Sequence, residues 1–171
     1  MKHYIGLTLV GALVLAGCQS TSMTTEESAL VKNVCRVGDD ADDKSSSWDA
    51  YKQSIMDCGG FEIFTEDMIE GKTVTRTNKK GKTRVYTFNQ DGSGMFVGSK
   101  GDEAISWLIT QDGYLDITFD NDGWTVTWAL LAEAGQYWAV KIYDRDANDT
   151  EQYLWSSSLK VEPTLMDKDQ S

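Results

Sequence analysis

Apolar and polar residues alternate through the second half of the chain. Leu115, Ile117 and Phe119 are interleaved with Tyr114, Asp116, Thr118 and Asp120. Trp124, Val126, Trp128 and Leu130 alternate with Thr125, Thr127 and Ala129, and Ile105, Trp107 and Ile109 repeat the pattern. A period of two is that of a strand with one face buried. Turn residues fill the gaps: Asn78-Lys79-Lys80-Gly81, Gln90-Asp91-Gly92, Lys100-Gly101-Asp102, Gln111-Asp112-Gly113, Asn121-Asp122-Gly123 and Glu133-Ala134-Gly135. In Asp-Gly pairs the glycine takes the positive φ that tight hairpins need. With a further turn between Arg145 and Asp149, about eight short strands fit into residues 71–161. That spacing predicts a sandwich or barrel. Uniformly short connections predict an up-and-down antiparallel meander, and closing it removes the exposed edges.

Before residue 61 the period is different. Trp48, Tyr51 and Ile55 recur on one helical face, with Ser47 as a cap and Cys58-Gly59-Gly60 as a stop. Thr24 and Glu27 have capping-box spacing, and Ala29, Leu30 and Val34 then line a short helix ending near Cys35. Residues 38–47 form an acidic loop between the two helices.

The chain starts with Met1-Lys2-His3, followed by an apolar run over residues 5–15 and Leu15-Ala16-Gly17-Cys18. A charged start, a short apolar stretch and small residues describe a secretory signal peptide. The run is too short for a transmembrane helix, which needs roughly 20 residues. Leu15-Ala16-Gly17-Cys18 resembles the lipobox of bacterial lipoproteins. The resemblance implies cleavage after Gly17, a lipid on the Cys18 sulfur and acylation of the new amino group, palmitate being the expected chain. Two or three chains anchor firmly where one does not. Gln19 replaces the aspartate that would favour inner-membrane retention, so the expected address is the outer membrane, facing the periplasm.

The expected organisation is therefore a signal peptide over residues 1–17, a lipidated tether over 18–25, a helical segment over 26–60, a barrel over 61–163 and a disordered tail over 164–171. Cys35 and Cys58 form an even pair in an exported protein, and a disulfide between them is expected. It closes a loop of about 23 residues, worth roughly 3 kcal/mol in the loop-entropy model.

Charge and composition narrow the function. Lys and Arg total 16 against 27 Asp and Glu, a net charge of −11. Such a surface repels nucleic acid and argues against binding it. The only histidine, His3, leaves with the signal peptide. Without imidazole, the Ser-His and Cys-His nucleophiles and His-ligated zinc fall away. Carboxylate pairs could still cleave glycosides, but Glu62, Glu66 and Glu70 are spaced like a surface face. The expectation is a protein without catalytic activity, cofactor or metal.

A second resemblance rests on Gly71-Lys72-Thr73-Val74, on Tyr86-Thr87-Phe88-Asn89-Gln90-Asp91-Gly92, on Ile105-Ser106-Trp107 and on Gly113-Tyr114-Leu115. Together they resemble the lipocalin-like domains of bacterial lipoproteins, over about residues 68–130. The pattern departs at Val74, where the family has tryptophan. The resemblance implies a barrel and an apolar cavity, and names no ligand.

Tyr86, Phe88, Trp107, Phe119, Trp124, Trp128 and Trp138 fall on apolar-parity positions. They either line an open barrel that holds a lipid or small hydrophobic ligand, or fill a packed core. Lys72, Arg76, Lys79, Lys80, Lys82 and Arg84 make the first hairpin basic. Such a hairpin either meets anionic groups or protects a sheet edge. Asp144-x-Asp146-x-Asn148 has the start of a calcium loop but lacks its glycine and its closing glutamate, so a strand turn fits better. Two functions are compatible with these features. One is a membrane-anchored envelope lipoprotein that binds a small hydrophobic ligand. The other is a periplasmic inhibitor or immunity-type lipoprotein with an acidic surface steered to a basic partner.

Overall fold

The computed structural model describes Thr25, Glu26, Leu30, Cys35 and residues 47–164. The signal peptide, the Cys18 lipobox, nearly all of the tether and residues 165–171 of the expected tail lie outside the described residues.

Eight strands follow one another: β1 (Lys72–Asn78), β2 (Thr83–Phe88), β3 (Ser93–Gly98), β4 (Gly101–Ile109), β5 (Leu115–Phe119), β6 (Thr125–Ala134), β7 (Tyr137–Arg145) and β8 (Gln152–Pro163). Each pairs antiparallel with the next, and β8 returns to β1 with Val74 opposite Val161, which closes the barrel. The fold is the mainly β, up-and-down eight-stranded barrel that the alternation predicts. Its turns use the expected glycines: Gly92, Gly113, Gly123 and Gly135 all have φ between 61° and 82°.

The alternation sorts side chains into an inner and an outer set. The inner set forms the main core, including Val74, Phe88, Ile105, Leu115, Ile117, Trp128, Val140 and Leu159. One end of the barrel is plugged. The chain crosses it between residues 61 and 71, held by the Glu62 amide to the Leu130 carbonyl (2.7 Å) and the Phe64 amide to the Gly113 carbonyl (2.9 Å). The short helix α2 (Glu66–Ile69) then drops Ile69 into the core beside Phe64. At the opposite end lie the β1–β2, β3–β4, β5–β6 and β7–β8 turns. This end is the mouth.

The helical segment lies on the outer wall and not across the mouth. Helix α1 (Trp48–Asp57) is capped by Ser47, whose hydroxyl accepts from the Ala50 amide at 3.2 Å. Its Tyr51 and Ile55 pack on Tyr114, Ala129, Tyr143 and Leu154. The disulfide Cys35–Cys58 is formed. The Cys35 carbonyl accepts from the Ser156 hydroxyl of β8 at 2.6 Å, and Leu30 packs on Tyr137 and Ala139. Strand β7 is consequently buried on both faces from Tyr137 to Asp144. The outer face of β3 and β4, by contrast, leaves Met95, Val97 and Leu108 exposed.

Candidate functional site

The barrel interior brings all seven predicted aromatics together, yet in two different settings. In the plugged half they are packed. The Tyr86 and Phe88 rings stack at 6.1 Å, and Trp128 meets Tyr86 edge-on at 5.1 Å. Trp107 meets Phe88 edge-on at 5.8 Å, and its indole donates to the Asn89 and Ser93 carbonyls. Trp138 lies 5.7 Å from Phe64 of the plug. Offset and edge-on pairs of this kind add about 0.5–1.5 kcal/mol each beyond the area they bury.

In the mouth half the aromatics surround charge. Phe119 touches Phe96 at 5.1 Å, and Trp124 faces Tyr153 at 6.0 Å. Between these rings and the packed half lie groups that the basic hairpin and the calcium-like pattern had assigned to the surface. Arg76, two residues along β1 from the inward Val74, itself points inward. Its guanidinium lies 5.9 Å from the Tyr86 ring centroid and 5.7 Å from that of Trp155. Asp144 continues the inward row of Trp138, Val140 and Ile142 on β7 and is only 5% exposed. Burial pushes its carboxyl up to about 7, against the pull of Arg76 and Arg145. Burial likewise raises the Tyr86 phenol, with Arg76 opposing and Asp144 adding to the shift.

Several buried polar atoms in and around this cluster lack hydrogen-bond partners. Among the described residues, five buried side-chain atoms make no hydrogen bond: Arg76 Nε, Trp128 Nε1, Asp144 Oδ1, Trp155 Nε1 and Ser157 Oγ. All five belong to inward positions. An unsatisfied buried polar group costs about 1–3 kcal/mol, so folded chains carry few of them, and five in one lumen require a reason. Ordered water or a polar guest would supply their partners. Four of the five atoms can donate a hydrogen bond, and the Asp144 oxygen accepts.

A recess of about 360 Å³ opens at the mouth, lined by Arg84, Phe96, Lys100, Glu103 and Asn121 among others. Phe96 joins it to the cluster, since its ring lies 5.0 Å from Tyr86. That ring folds over Gly98, where a Cβ would stand 2.6 Å from it. The rim carries charge of both signs. Lys79, Lys80 and Lys82 occupy the β1–β2 turn, and Asp120 and Asp122 the β5–β6 turn on the opposite side of the ring.

A second recess, about 340 Å³, lies outside the barrel between Trp48, Tyr114, Tyr143, Asp116 and Arg145. Its polar floor is satisfied within itself. Thr127 donates to Asp116 at 2.5 Å and accepts from Arg145 at 2.8 Å. The calcium-like segment is a turn: Asp146 accepts from the Asn148 and Thr150 amides and the Thr150 hydroxyl, which holds its carboxyl low. Among the described residues no three Asp, Glu, Cys or His side chains gather as a metal site.

Arg76 and Asp144 were read from sequence as part of a basic hairpin and of a strand turn, and Trp155 and Ser157 were not singled out. The signal for the first two was parity: Arg76 shares the face of Val74, and Asp144 that of Ile142. No protein-family model matches the chain, and no curated protein matches it either.

Proposed function

We propose that this chain is an envelope lipoprotein, held to a membrane through lipid on Cys18, whose barrel binds a small amphipathic ligand through its mouth and performs no catalysis. Export and anchoring rest on the apolar run and on Leu15-Ala16-Gly17-Cys18. The likeness to lipocalin-like lipoprotein domains supports the same reading, as does a closed barrel plugged at one end. One observation carries the binding function: the unpartnered polar atoms of Arg76, Trp128, Asp144, Trp155 and Ser157 all sit at inward positions of a barrel whose mouth carries a recess of about 360 Å³. The aromatics around them suit the apolar part of a guest, as in most small-molecule sites, where a few polar groups fix orientation within an apolar lining.

Native mass spectrometry of a Cys18→Ser form purified from the periplasm tests this. The expected result is an additional small mass that is lost on denaturation. A protein that flies bare, and stays bare after incubation with envelope lipid extract, overturns the carrier reading. The acidic surface would then direct the search to a protein partner.

A further inference from the structure

We propose that the outer wall of the barrel carries a second binding site, independent of the lumen, that takes a neutral or amine-bearing saccharide. Two recesses adjoin there, over the outward positions of β4 to β7. The larger, about 340 Å³, has Trp48 of helix α1 on its rim and Asp112 and Asp149 at its edge. The smaller, about 190 Å³, is lined by Ser106, Leu108, Thr118 and Thr125 among others. Asp116 and Arg145 line both, so the two form one groove. That pair is a floor already built. Arg145 lies 3.9 Å from Asp116, and the Thr127 hydroxyl accepts from Arg145 at 2.8 Å and donates to Asp116 at 2.5 Å. Held by its own bonds, the floor presents its remaining donors and lone pairs to a guest without rearranging. Above it stand the phenols of Tyr114 and Tyr143. Burial first, and then Asp112 for Tyr114 and Asp149 for Tyr143, raises both, so both hydroxyls stay protonated.

The lining selects the guest. Of the rings on the larger recess, Trp48 is the exposed one, at 38%. Tyr114 and Tyr143 are buried against it at steep angles, 5.6 and 5.7 Å away, and Arg145 already lies over Tyr143. The rings therefore make no open cage for a lone organic cation. Three carboxylates against one guanidinium repel an anion. Among the described residues the carboxylates do not gather as a metal site. An apolar chain would desolvate them and pair with none. A peptide strand would find no main-chain partner, because every strand of the closed barrel is paired on both sides. A sugar ring has an apolar face and an edge of hydroxyls. The face fits the exposed indole of Trp48. Hydroxyls both donate and accept, so one edge suits carboxylate, guanidinium and threonine together. Further sugar units would run from Trp48 across the Asp116–Arg145 floor to Thr118 and Thr125. An amine in place of a hydroxyl gains from the negative excess of the groove, and a uronic acid loses by it.

The chain has six tryptophans, so isotope-labelled indole N–H signals of the Cys18→Ser protein report each position by nuclear magnetic resonance, and Trp48→Phe identifies that of Trp48. Chitotriose, its de-acetylated form and the trimer of galacturonic acid are titrated to millimolar concentration at mildly acid pH. The expected result is that chitotriose and its de-acetylated form shift the Trp48 signal and leave Trp124 at the mouth in place, with the galacturonate trimer at least about tenfold weaker. Trp48→Ala should weaken both active trimers at least about tenfold. Asp112→Ala, at an exposed turn position, should weaken the de-acetylated trimer more than chitotriose. If Trp48→Ala fails to fold, Asp112→Ala and the wild-type ranking decide. A Trp48 signal that moves with neither trimer overturns the site, as does a galacturonate trimer that binds as tightly as the other two. A shift at Trp124 alone puts the sugar in the barrel mouth and also overturns it. None of these outcomes bears on the carrier reading, which the native spectrum decides.

Discussion

The two halves of the barrel interior are built by the same alternation and differ in what they leave undone. In the plugged half every ring has a ring against it: Phe88 lies between Tyr86 and Trp107, and Trp138 against Phe64. In the mouth half, Arg76 and Asp144 replace apolar residues on the same inward rows, and each keeps one buried atom without a hydrogen bond. A short barrel thus spends one half on cohesion and keeps the other unfinished. Stability should be sensitive to changes in the first half, and binding to changes in the second.

The largest effect is expected at Phe88. It is fully buried, and Phe88→Ala removes its contacts with Tyr86, Trp107 and Trp128. A loss of about 3–5 kcal/mol is expected, read as a fall in the urea midpoint. A cost below about 1 kcal/mol would show that the plugged half is not the packed one.

Asp144→Asn should do the reverse and stabilise. The folded carboxyl titrates at about 7, above its ordinary value of 3.8. The folded state therefore holds its proton over a range in which the unfolded chain has lost it. The cost of ionising Asp144 is absent below about pH 4, grows between about pH 4 and 7, and is complete above that. Its ceiling is about 4 kcal/mol. Wild-type stability should fall across that window by a component that Asp144→Asn abolishes. Denaturation midpoints of the two proteins at acid and mildly alkaline pH check this. Parallel pH profiles would mean that Asp144 already has a partner.

The smallest effect on stability belongs to Trp124→Ala. Half-buried at the mouth and facing Tyr153, Trp124 should cost about 1 kcal/mol or less. The same change should weaken the retention of a bound amphiphile. Equal losses of stability at Trp124 and Phe88 would erase the contrast between the halves.

Strand count, turn positions, helix α1 and the cysteine pair were legible because each has a local signature. Asp-Gly marks a hairpin, and Trp48, Tyr51 and Ile55 mark a helical face. The plug was not legible: α2 has four residues, too few for a period to show. Strand β7 reads Tyr137-Trp138-Ala139-Val140-Lys141-Ile142-Tyr143 without clean alternation, since α1 and Leu30 cover its outer face. Its Lys141 is fully buried and donates to Ser156. The aromatics were found, but parity could not divide them, because lining a lumen and filling one occupy the same positions. Arg76 and Asp144 were read by charge instead of parity, and charge alone sends a residue to the surface.

Strand β7, held from both sides, also gives the barrel a direction of compliance. From β6 to β8 the wall is backed by α1, the Cys35–Cys58 staple and Leu30, so bending it outward would strip two cores at once. Among the described residues, the wall from β2 to β4 has side chains packed only on its inner face, and Met95, Val97 and Leu108 meet solvent. Any breathing of the ring therefore concentrates on that thinner side, next to the recess at Phe96. One flank of the ring, held from both sides, keeps Asp144 and Trp155 in register, and the other is left freer to give.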